Sequence, residues 1–178
     1  VPSLRRFLID NAGKGMRNGV DSAAESIAEY RSLSEGLASV DAVIIDAGDL
    51  IDPIWEKRPP VPSEAPIRII DDKKAGESVH DKLERIRKIL RERGARWTFV
   101  SSLDDIAWIT NLRSSDIQYN PLFYAFLFIS LSKAVLFINK DRLSGDVLEN
   151  VKRNFAIESY DDAEVLLPSL IRGTGLYS

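Results

Sequence analysis

Apolar and polar positions are most clearly patterned in residues 101–121, which read SSLDDIAWITNLRSSDIQYNP. Ser102 followed three residues later by Asp105 resembles a capping box with a carboxylate in place of Glu or Gln, and it predicts a short helix that begins at Leu103. The predicted buried stripe of this helix consists of Ile106, Ile109 and Leu112. A run of polar residues follows, and Pro121 prevents any helical continuation.

The same patterns predict further helices and strands on both sides of this segment. Apolar runs rich in β-branched and aromatic residues predict strands at residues 67–70, 97–100, 123–131, 134–139 and 155–158. A capping box at Ser78 and Asp81 predicts a long helix that ends at Gly94. Its predicted inner face consists of Val79, Leu83, Ile86, Ile89 and Leu90. Two later helices are predicted, one with Val147 and Val151 inward and one over residues 161–171 with Val165, Leu166 and Leu170 inward.

The order of these elements predicts a mixed β-sheet. A strand, the long helix and a second strand over residues 67–100 favour a βαβ connection. The two runs at 123–131 and 134–139 are separated by two residues, which is typical of an antiparallel hairpin. Parallel and antiparallel pairs are therefore expected in one sheet.

The first 58 residues predict a smaller α/β portion. Residues 4–9 predict a short helix, and the following NAGKGMRNG favours turns over regular structure. Ser22 is predicted to cap a helix that runs to Ala38. The predicted buried face of that helix consists of Ile27, Tyr30, Leu33 and Leu37. A short strand at residues 42–45 and a partly helical turn at 49–55 complete this portion.

Proline marks the predicted domain boundary. RPPVPSEAP, which begins at Arg58, is proline-rich, and such segments form stiff spacers between domains. We therefore predict a first domain portion at residues 1–58, a linker at 59–66, a second domain at 67–172 and a tail at 173–178.

Composition excludes several classes of function from the prediction. The 178 residues carry a net charge of −3, which gives no overall footprint for nucleic acid or an anionic membrane. The longest apolar stretch, residues 122–131, is about half of the ~20 residues that a membrane span needs. No cysteine is present, which is typical of a cytoplasmic protein. We predict no nucleic-acid partner, no membrane segment and a cytoplasmic location.

Sequence motifs for catalysis are weak. A metal site needs several convergent ligands, and the chain has one histidine, His80, in the first turn of a charged helix. Its adjacent aspartate pairs fall in turns or at helix starts, where capping is the simpler explanation. Lys14 lies in a glycine-rich run, but the phosphate-loop pattern is incomplete because Gly15 follows it. No catalytic or metal-binding residue is predicted.

Two polar regions remain as candidates for binding. The helix over residues 82–93 has a basic face, which predicts either a solvated helix surface or, less favoured, a phosphate contact. Asn111, Arg113 and Asp116 follow a packed helix, a position where proteins often place binding groups. Arginine can grip a carboxylate with two parallel hydrogen bonds, whereas a hydrogen-bonded turn is the alternative explanation for the three residues.

Three ordered motifs also carry a family resemblance. They are LIDPIWEKRPPVP from Leu50, AGES-x-x-DKL-x-R-x-R from Ala75, and LDDIAW-x-x-NLR-x-SDI-x-YNP-x-FYAF from Leu103. Together they resemble the three-domain Xaa-Pro aminopeptidases, also called aminopeptidase P. Ser114 departs from the pattern, since relatives usually have glycine there.

The resemblance implies both a fold and a function. It implies an α/β fold, in which a creatinase amino-terminal-like three-layer unit with a mixed open β-sheet flanked by helices is preceded by a partial unit of the same kind. The chain would be the non-catalytic amino-terminal region of an enzyme that releases the residue preceding proline. No cofactor is expected in this chain, and two Mn ions are implied for a separate pita-bread catalytic domain.

Partners follow from the same resemblance. They are the catalytic domain, short proline-containing peptides in the intact enzyme, and a second copy in a homodimer. Asn111, Arg113 and Asp116 are then expected at the substrate cleft or at an interdomain contact. Two alternatives stay open: a free-standing α/β interaction module without peptidase activity, and an unrelated α/β enzyme with a carboxylate site.

Overall fold

The computed structural model describes residues 3–57 and 65–175. The chain forms two compact units, Val1–Pro59 and Pro60–Ser178. Most of the predicted linker, residues 59–66, lies outside the described residues, so the predicted domain bounds stay predictions.

The first unit is a small α/β portion, as predicted. Its helices and strands are α1 (Leu4–Asn11), β1 (Arg17–Val20), α2 (Ile27–Ala38) and β2 (Val43–Asp46), followed by a 3-10 turn at Asp52–Ile54. Strands β1 and β2 are parallel, with Arg17 opposite Val43. The connection between them is α2, so this unit contains a βαβ arrangement.

Two predictions for the first unit are wrong. Residues 14–15 of the glycine-rich run form a turn, but the rest of the run does not, because strand β1 begins at Arg17 and its backbone pairs with β2. Ser26 caps α2 instead of Ser22, whose hydroxyl donates to Asp46 at 2.9 Å. Within the predicted apolar face, Ile27 is 71% exposed and Leu37 is fully buried. Helix α2 therefore buries less of its apolar side than its periodicity indicated.

The second unit contains most of the regular structure. Its elements are β3 (Arg68–Ile69), α3 (Asp72–Ala75), α4 (Val79–Glu92), β4 (Trp97–Val100), α5 (Leu103–Thr110), β5 (Leu112–Arg113), β6 (Phe126–Ser130), β7 (Ala134–Phe137), α6 (Gly145–Lys152), β8 (Ala156–Glu158) and α7 (Ala163–Arg172). The 3-10 turns Lys140–Arg142 and Tyr160–Asp162 lie in the connections after β7 and β8.

A four-stranded mixed sheet with helices on both faces confirms the predicted fold class. Its strand order is β4-β6-β7-β8, with antiparallel pairs except for the parallel pair β7 and β8. Alternate residues of β6 face opposite sides of the sheet. Leu127 and Ile129 pack in a core with α4, α5 and α6, whereas Phe128 packs in a second core with α7. The sheet is therefore the middle of three layers.

The predicted βαβ connection around α4 is wrong. Strand β3 is not part of the main sheet and pairs with β5 in a separate antiparallel ribbon. In this ribbon Arg68 lies opposite Arg113, and Ile69 lies opposite Leu112. Strand β4 instead pairs antiparallel with β6. The prediction failed because apolar runs alone do not specify which strand a given strand pairs with. The ribbon places the end of α5 beside β3.

The two predicted capping boxes have different outcomes. The Ser78 hydroxyl accepts the amide of Asp81 at 3.1 Å and donates to its carboxylate at 2.7 Å, which confirms the prediction. Ser102 accepts no capping bond within the described residues, and its hydroxyl donates to Asp104 at 2.5 Å. Helix α5 still begins at Leu103.

Two residues predicted to face the core are exposed. Ile89 of α4 is 42% exposed and Val165 of α7 is 75% exposed, so both predictions are wrong. The other predicted inner residues of these helices are buried or pack against a core. Ile106 and Ile109 of α5 are buried as predicted, at 0% and 4% exposure. Leu112 is also buried, at 0% exposure, but it belongs to β5 and not to the helix.

Candidate functional site

Helix α5 ends in a backbone conformation that exposes its last carbonyls to side chains. Asn111 is the C-cap and has φ +54°, in the left-handed region that asparagine tolerates better than most residues. The chain then turns at once into β5. Because the carbonyls at a helix C-terminus lack intrahelical donors and carry partial negative charge, cations are favoured there.

Lys82 of α4 supplies one of those cations. It is 1% exposed, and its Nζ donates to the Trp108 carbonyl at 2.7 Å and to Asn111 Oδ1 at 2.5 Å. The ammonium also lies 4.4 Å from the centre of the Trp108 ring, within range of a cation–π interaction. The prediction of a solvated basic face on this helix is therefore wrong at Lys82.

Burial lowers the pKa of the Lys82 ammonium, and the charge of Arg113 acts in the same direction. Glu77 and Asp72 oppose this shift. A buried ammonium is tolerated when its donors are satisfied, and here a carbonyl, an amide oxygen and an aromatic face receive them.

The Asn111 amide extends this network to the start of α4. Its Nδ2 donates to Asp72 Oδ1 and to the Glu77 carbonyl, each at 3.0 Å. Asn111 thus joins the end of α5 to α3 and to the segment before α4. Asn111 is only 3% exposed, and its side chain is used for hydrogen bonds inside the protein. This favours a hydrogen-bonded turn over a binding role for this residue.

An ion pair between Arg85 and Glu77 lies beside this network. Arg85 donates to both oxygens of Glu77, at 3.1 and 2.6 Å, and its guanidinium lies 5.0 Å from the Trp108 ring centre. The hydrogen bond from Arg85 lowers the pKa of the Glu77 carboxyl. Trp108 therefore contacts two cations while remaining 39% exposed.

Arg113 is half-buried and reaches back to the same helix end. Its Nη1 donates to the carbonyls of Ala107 at 2.5 Å and Leu112 at 2.8 Å. Lys82 and Arg113 thus bind successive carbonyls in the last turn of α5. This geometry stabilises the helix C-terminus and fixes the direction of Arg113.

Asp116 belongs to a different cluster. Its carboxylate receives Arg142 Nη1 and Nη2 at 2.8 and 2.7 Å in a bidentate pair whose side chains are 2% and 0% exposed. It also accepts the amide of Tyr124. The Ser114 hydroxyl accepts Arg142 Nη2 at 2.8 Å and donates to Pro66 O at 3.0 Å. Serine at this position is thus integrated into the network.

The loop over residues 114–122 is held at its base. The amide of Ser114 donates to the Pro121 carbonyl and that of Asp116 to the Leu122 carbonyl. Tyr119, at the tip, is 97% exposed with φ +65°. An anchored base and an exposed aromatic tip are typical of loops that contact another surface.

The structure does not unite the three candidate residues. Asn111 lies in the Lys82 network, Asp116 lies in the Arg142 cluster, and Arg113 lies at the β3–β5 ribbon.

Sequence reasoning missed Lys82 and Arg142. Lys82 was detectable, because it lies three residues after Val79 and four before Ile86 on the apolar stripe of α4. Arg142 gave no local signal, since its partner is 26 residues away.

Metal-binding and membrane-spanning features are absent from residues 3–57 and 65–175. No group of three or more His, Asp or Glu side chains there is arranged to hold a metal ion. No described helix has the length and apolar character needed to cross a membrane. His80 is exposed on α4.

Comparison with known proteins gives consistent matches. Residues 57–175 match the family model described as the creatinase/prolidase N-terminal domain. The chain is 34% identical over 161 residues to a probable Xaa-Pro aminopeptidase P of Aspergillus flavus, covering 90% of this chain and 25% of that protein. It is 34% identical over 179 residues to a protein of the same description from Botryotinia fuckeliana, covering 96% and 27%.

A solved structure shares the fold. The X-prolyl aminopeptidase of Caenorhabditis elegans, described as a cytosolic enzyme with a di-nuclear active site, superposes with a TM-score of 0.88 at 23% sequence identity. The match covers 98% of this chain and 28% of that one. The chain spans about a quarter of the length of the curated relatives it matches.

Proposed function

Because the chain belongs to the creatinase/prolidase N-terminal domain family, we propose that it is the non-catalytic amino-terminal region of an Xaa-Pro aminopeptidase. The alignment with the Aspergillus flavus protein over 90% of this chain is the observation that carries the proposal. The relatives extend well beyond this region, and in the proposal their remaining length holds the pita-bread catalytic domain and its two Mn ions. The intact enzyme releases the residue that precedes proline from short peptides in the cytoplasm.

In this proposal the region shapes the substrate cleft and contacts the catalytic domain or another subunit. Arg113 is the candidate contact, because Asn111 and Asp116 are committed to internal networks whereas Arg113 is half-buried at the edge of a two-stranded ribbon. Those networks hold the segments on either side of Arg113, so Asn111 and Asp116 act by positioning it.

Kinetics of the chain extended by its downstream coding sequence test the role of Arg113. We expect Arg113→Ala to lower kcat/KM for an Xaa-Pro tripeptide at least tenfold, on the order of 1.4 kcal/mol of lost transition-state stabilisation. Arg91→Ala, at an exposed position of α4, is the matched control and should have no effect. Unchanged kcat and KM in Arg113→Ala would exclude a substrate or cleft contact.

The competing proposal is a free-standing interaction module without peptidase activity. The exposed Tyr119 on its anchored loop favours this alternative, since a module of that kind needs a preformed contact surface. Hydrolysis of an Xaa-Pro peptide with added Mn²⁺ separates the two. The module is indicated if the extended chain is inactive, whereas the aminopeptidase region is indicated if it is active.

A further inference from the structure

The β3–β5 ribbon contains an unusual pair of like charges. Arg68 and Arg113 lie directly opposite each other in the antiparallel register. Directly opposite residues project to the same face, with Cβ atoms about 4.5–5.5 Å apart, and like charges in this arrangement are destabilising. The ribbon has only two paired positions, so this repulsion acts on half of its pairs.

No carboxylate neutralises this pair in the described part of the chain. Neither arginine forms an ion pair with an acidic side chain there, whereas Arg85, Arg87 and Arg142 each do. Arg113 uses Nη1 for two backbone carbonyls, which leaves the other edge of its guanidinium without a described partner. Arg68 is exposed and makes no described side-chain hydrogen bond. The pair is thus accessible and unneutralised.

The surrounding contacts fix one of the two arginines. Arg113 is held by the carbonyls of Ala107 and Leu112, and the α5 end that carries Ala107 is tied to α4 through Lys82. Lys82 adds a third positive charge nearby, and Arg113 contributes to the lowered pKa of its ammonium after the larger effect of burial. A guanidinium that is already positioned loses little side-chain entropy on binding an anion.

We propose that Arg68 and Arg113 together bind a carboxylate. A carboxylate accepts parallel hydrogen bonds from guanidinium groups, and one placed between the two arginines removes their mutual repulsion. The inference rests on the proposed function and deepens it at Arg113, because every short peptide substrate ends in such a group. Two sources share this chemistry: the terminal carboxylate of a peptide, or an Asp or Glu side chain on the rest of the aminopeptidase.

NMR on the 178-residue chain tests the proposal without any enzymatic activity. The signals to follow are the Nε–Hε pairs of Arg68 and Arg113 in ¹⁵N-labelled protein. One probe is the peptide Ala-Pro-Ala with a free carboxyl terminus, and its negative control is the same peptide as an amide. A third probe, Ala-Asp-Ala with an acetylated amino terminus and an amidated carboxyl terminus, presents a side-chain carboxylate alone.

We expect saturable shifts of both arginine signals with at least one carboxylate probe and none with the Ala-Pro-Ala amide. A response to free Ala-Pro-Ala identifies the peptide terminus as the source, and a response to the Asp probe alone identifies a protein side chain. Arg68→Gln should weaken binding at least tenfold, whereas the exposed α4 control Arg91→Gln should not. No shift with any carboxylate, or equal shifts with the amide, overturns the proposal.

The urea unfolding midpoint of Arg68 variants supplies a second test. If Arg68 had a purely structural role, replacing it would lower this midpoint. If the pair is a carboxylate site, Arg68→Gln should leave the urea unfolding midpoint unchanged or raise it, because repulsion is removed. Arg68→Glu should raise it further and abolish carboxylate binding, because the introduced carboxylate would itself pair with Arg113. A lower midpoint for both variants overturns the proposal. Loss of peptidase activity in the extended chain leaves these binding results unaffected, so the two proposals fail separately.

Discussion

Lys82 is the residue on which the local geometry depends most. It ties α4 to the end of α5 and to Asn111, and its buried ammonium is satisfied by a carbonyl and an amide oxygen. Removing it would leave both acceptors without their donor. The sequence predicted a solvated ammonium at Lys82, whereas the structure buries it in hydrogen bonds between α4 and the end of α5.

Lys82→Met tests this account of α4. We expect the free energy of unfolding to fall by about 2–4 kcal/mol, because the Trp108 carbonyl and Asn111 Oδ1 lose a charged donor in a buried site. Lys88→Met on the same helix, at a side chain that is 73% exposed, should change it by less than about 0.5 kcal/mol. Urea denaturation followed by circular dichroism measures both. Equal effects would contradict the role assigned to Lys82.

Glu77 gives a prediction of pH dependence. The Arg85 hydrogen bond lowers the pKa of this carboxyl in the folded state, so the unfolded state binds the proton more readily in acid. The stabilisation is present above the unfolded pKa, near the ordinary value of 4.5, and is lost as pH falls through the lower folded pKa. The urea unfolding midpoint of the wild type should therefore exceed that of Glu77→Gln at pH 7, and the two midpoints should converge in acid. A difference that persists at the lowest accessible pH would contradict this.

Only part of the residue-scale picture was available from the sequence. The position of Asn111, Arg113 and Asp116 after a packed helix indicated ordered polar residues. Their partners were not readable, because Asp116 pairs with Arg142 and Asn111 with Lys82, each more than 25 positions away. Periodicity describes which face of an element is apolar, whereas polar pairing across elements depends on the tertiary fold.

At the scale of elements, two identical motifs behave differently. Ser78 and Ser102 each precede an aspartate by three residues, and only Ser78 accepts the capping amide. The hydroxyl of Ser102 is instead directed to Asp104, which lies one residue closer. The Ser-x-x-Asp pattern therefore does not by itself specify a capping box.

A pair of alanine substitutions measures this difference. Ser78→Ala should lower the free energy of unfolding by about 1 kcal/mol, the usual effect of removing an N-cap side chain. Ser102→Ala should lower it by less than about half as much, since no amide loses its acceptor. Thermal denaturation of both variants supplies the comparison. A larger loss in Ser102→Ala would show that its cap forms in solution.

Sheet pairing was partly predictable. The hairpin of β6 and β7 and the existence of strand β8 followed from short spacing and apolar runs, and the structure confirms them. The parallel pairing of β8 with β7 was not predicted. The two-residue strands β3 and β5 were not identified as a pair, because a ribbon of that length leaves no periodic signal. That ribbon nevertheless holds Arg68 and Arg113, the pair proposed to bind a carboxylate.

At the scale of the whole molecule, fold and family agree. The three-layer second unit has the α/β architecture that the motifs implied, and the family match covers residues 57–175. What the fold alone does not determine is the chemistry, since one fold can carry many functions. The functional proposal therefore depends on the relatives, of which this chain spans about a quarter.

Hydrolysis of an Xaa-Pro tripeptide in the presence of Mn²⁺ tests the central claim most directly. The samples are the 178-residue chain and the same chain extended by its downstream coding sequence, each with and without metal, and release of the amino-terminal residue is measured. The account predicts activity in the extended chain with metal and none in the 178-residue chain. Metal-dependent activity in the 178-residue chain alone would contradict it, because the chemistry would then lie within these residues.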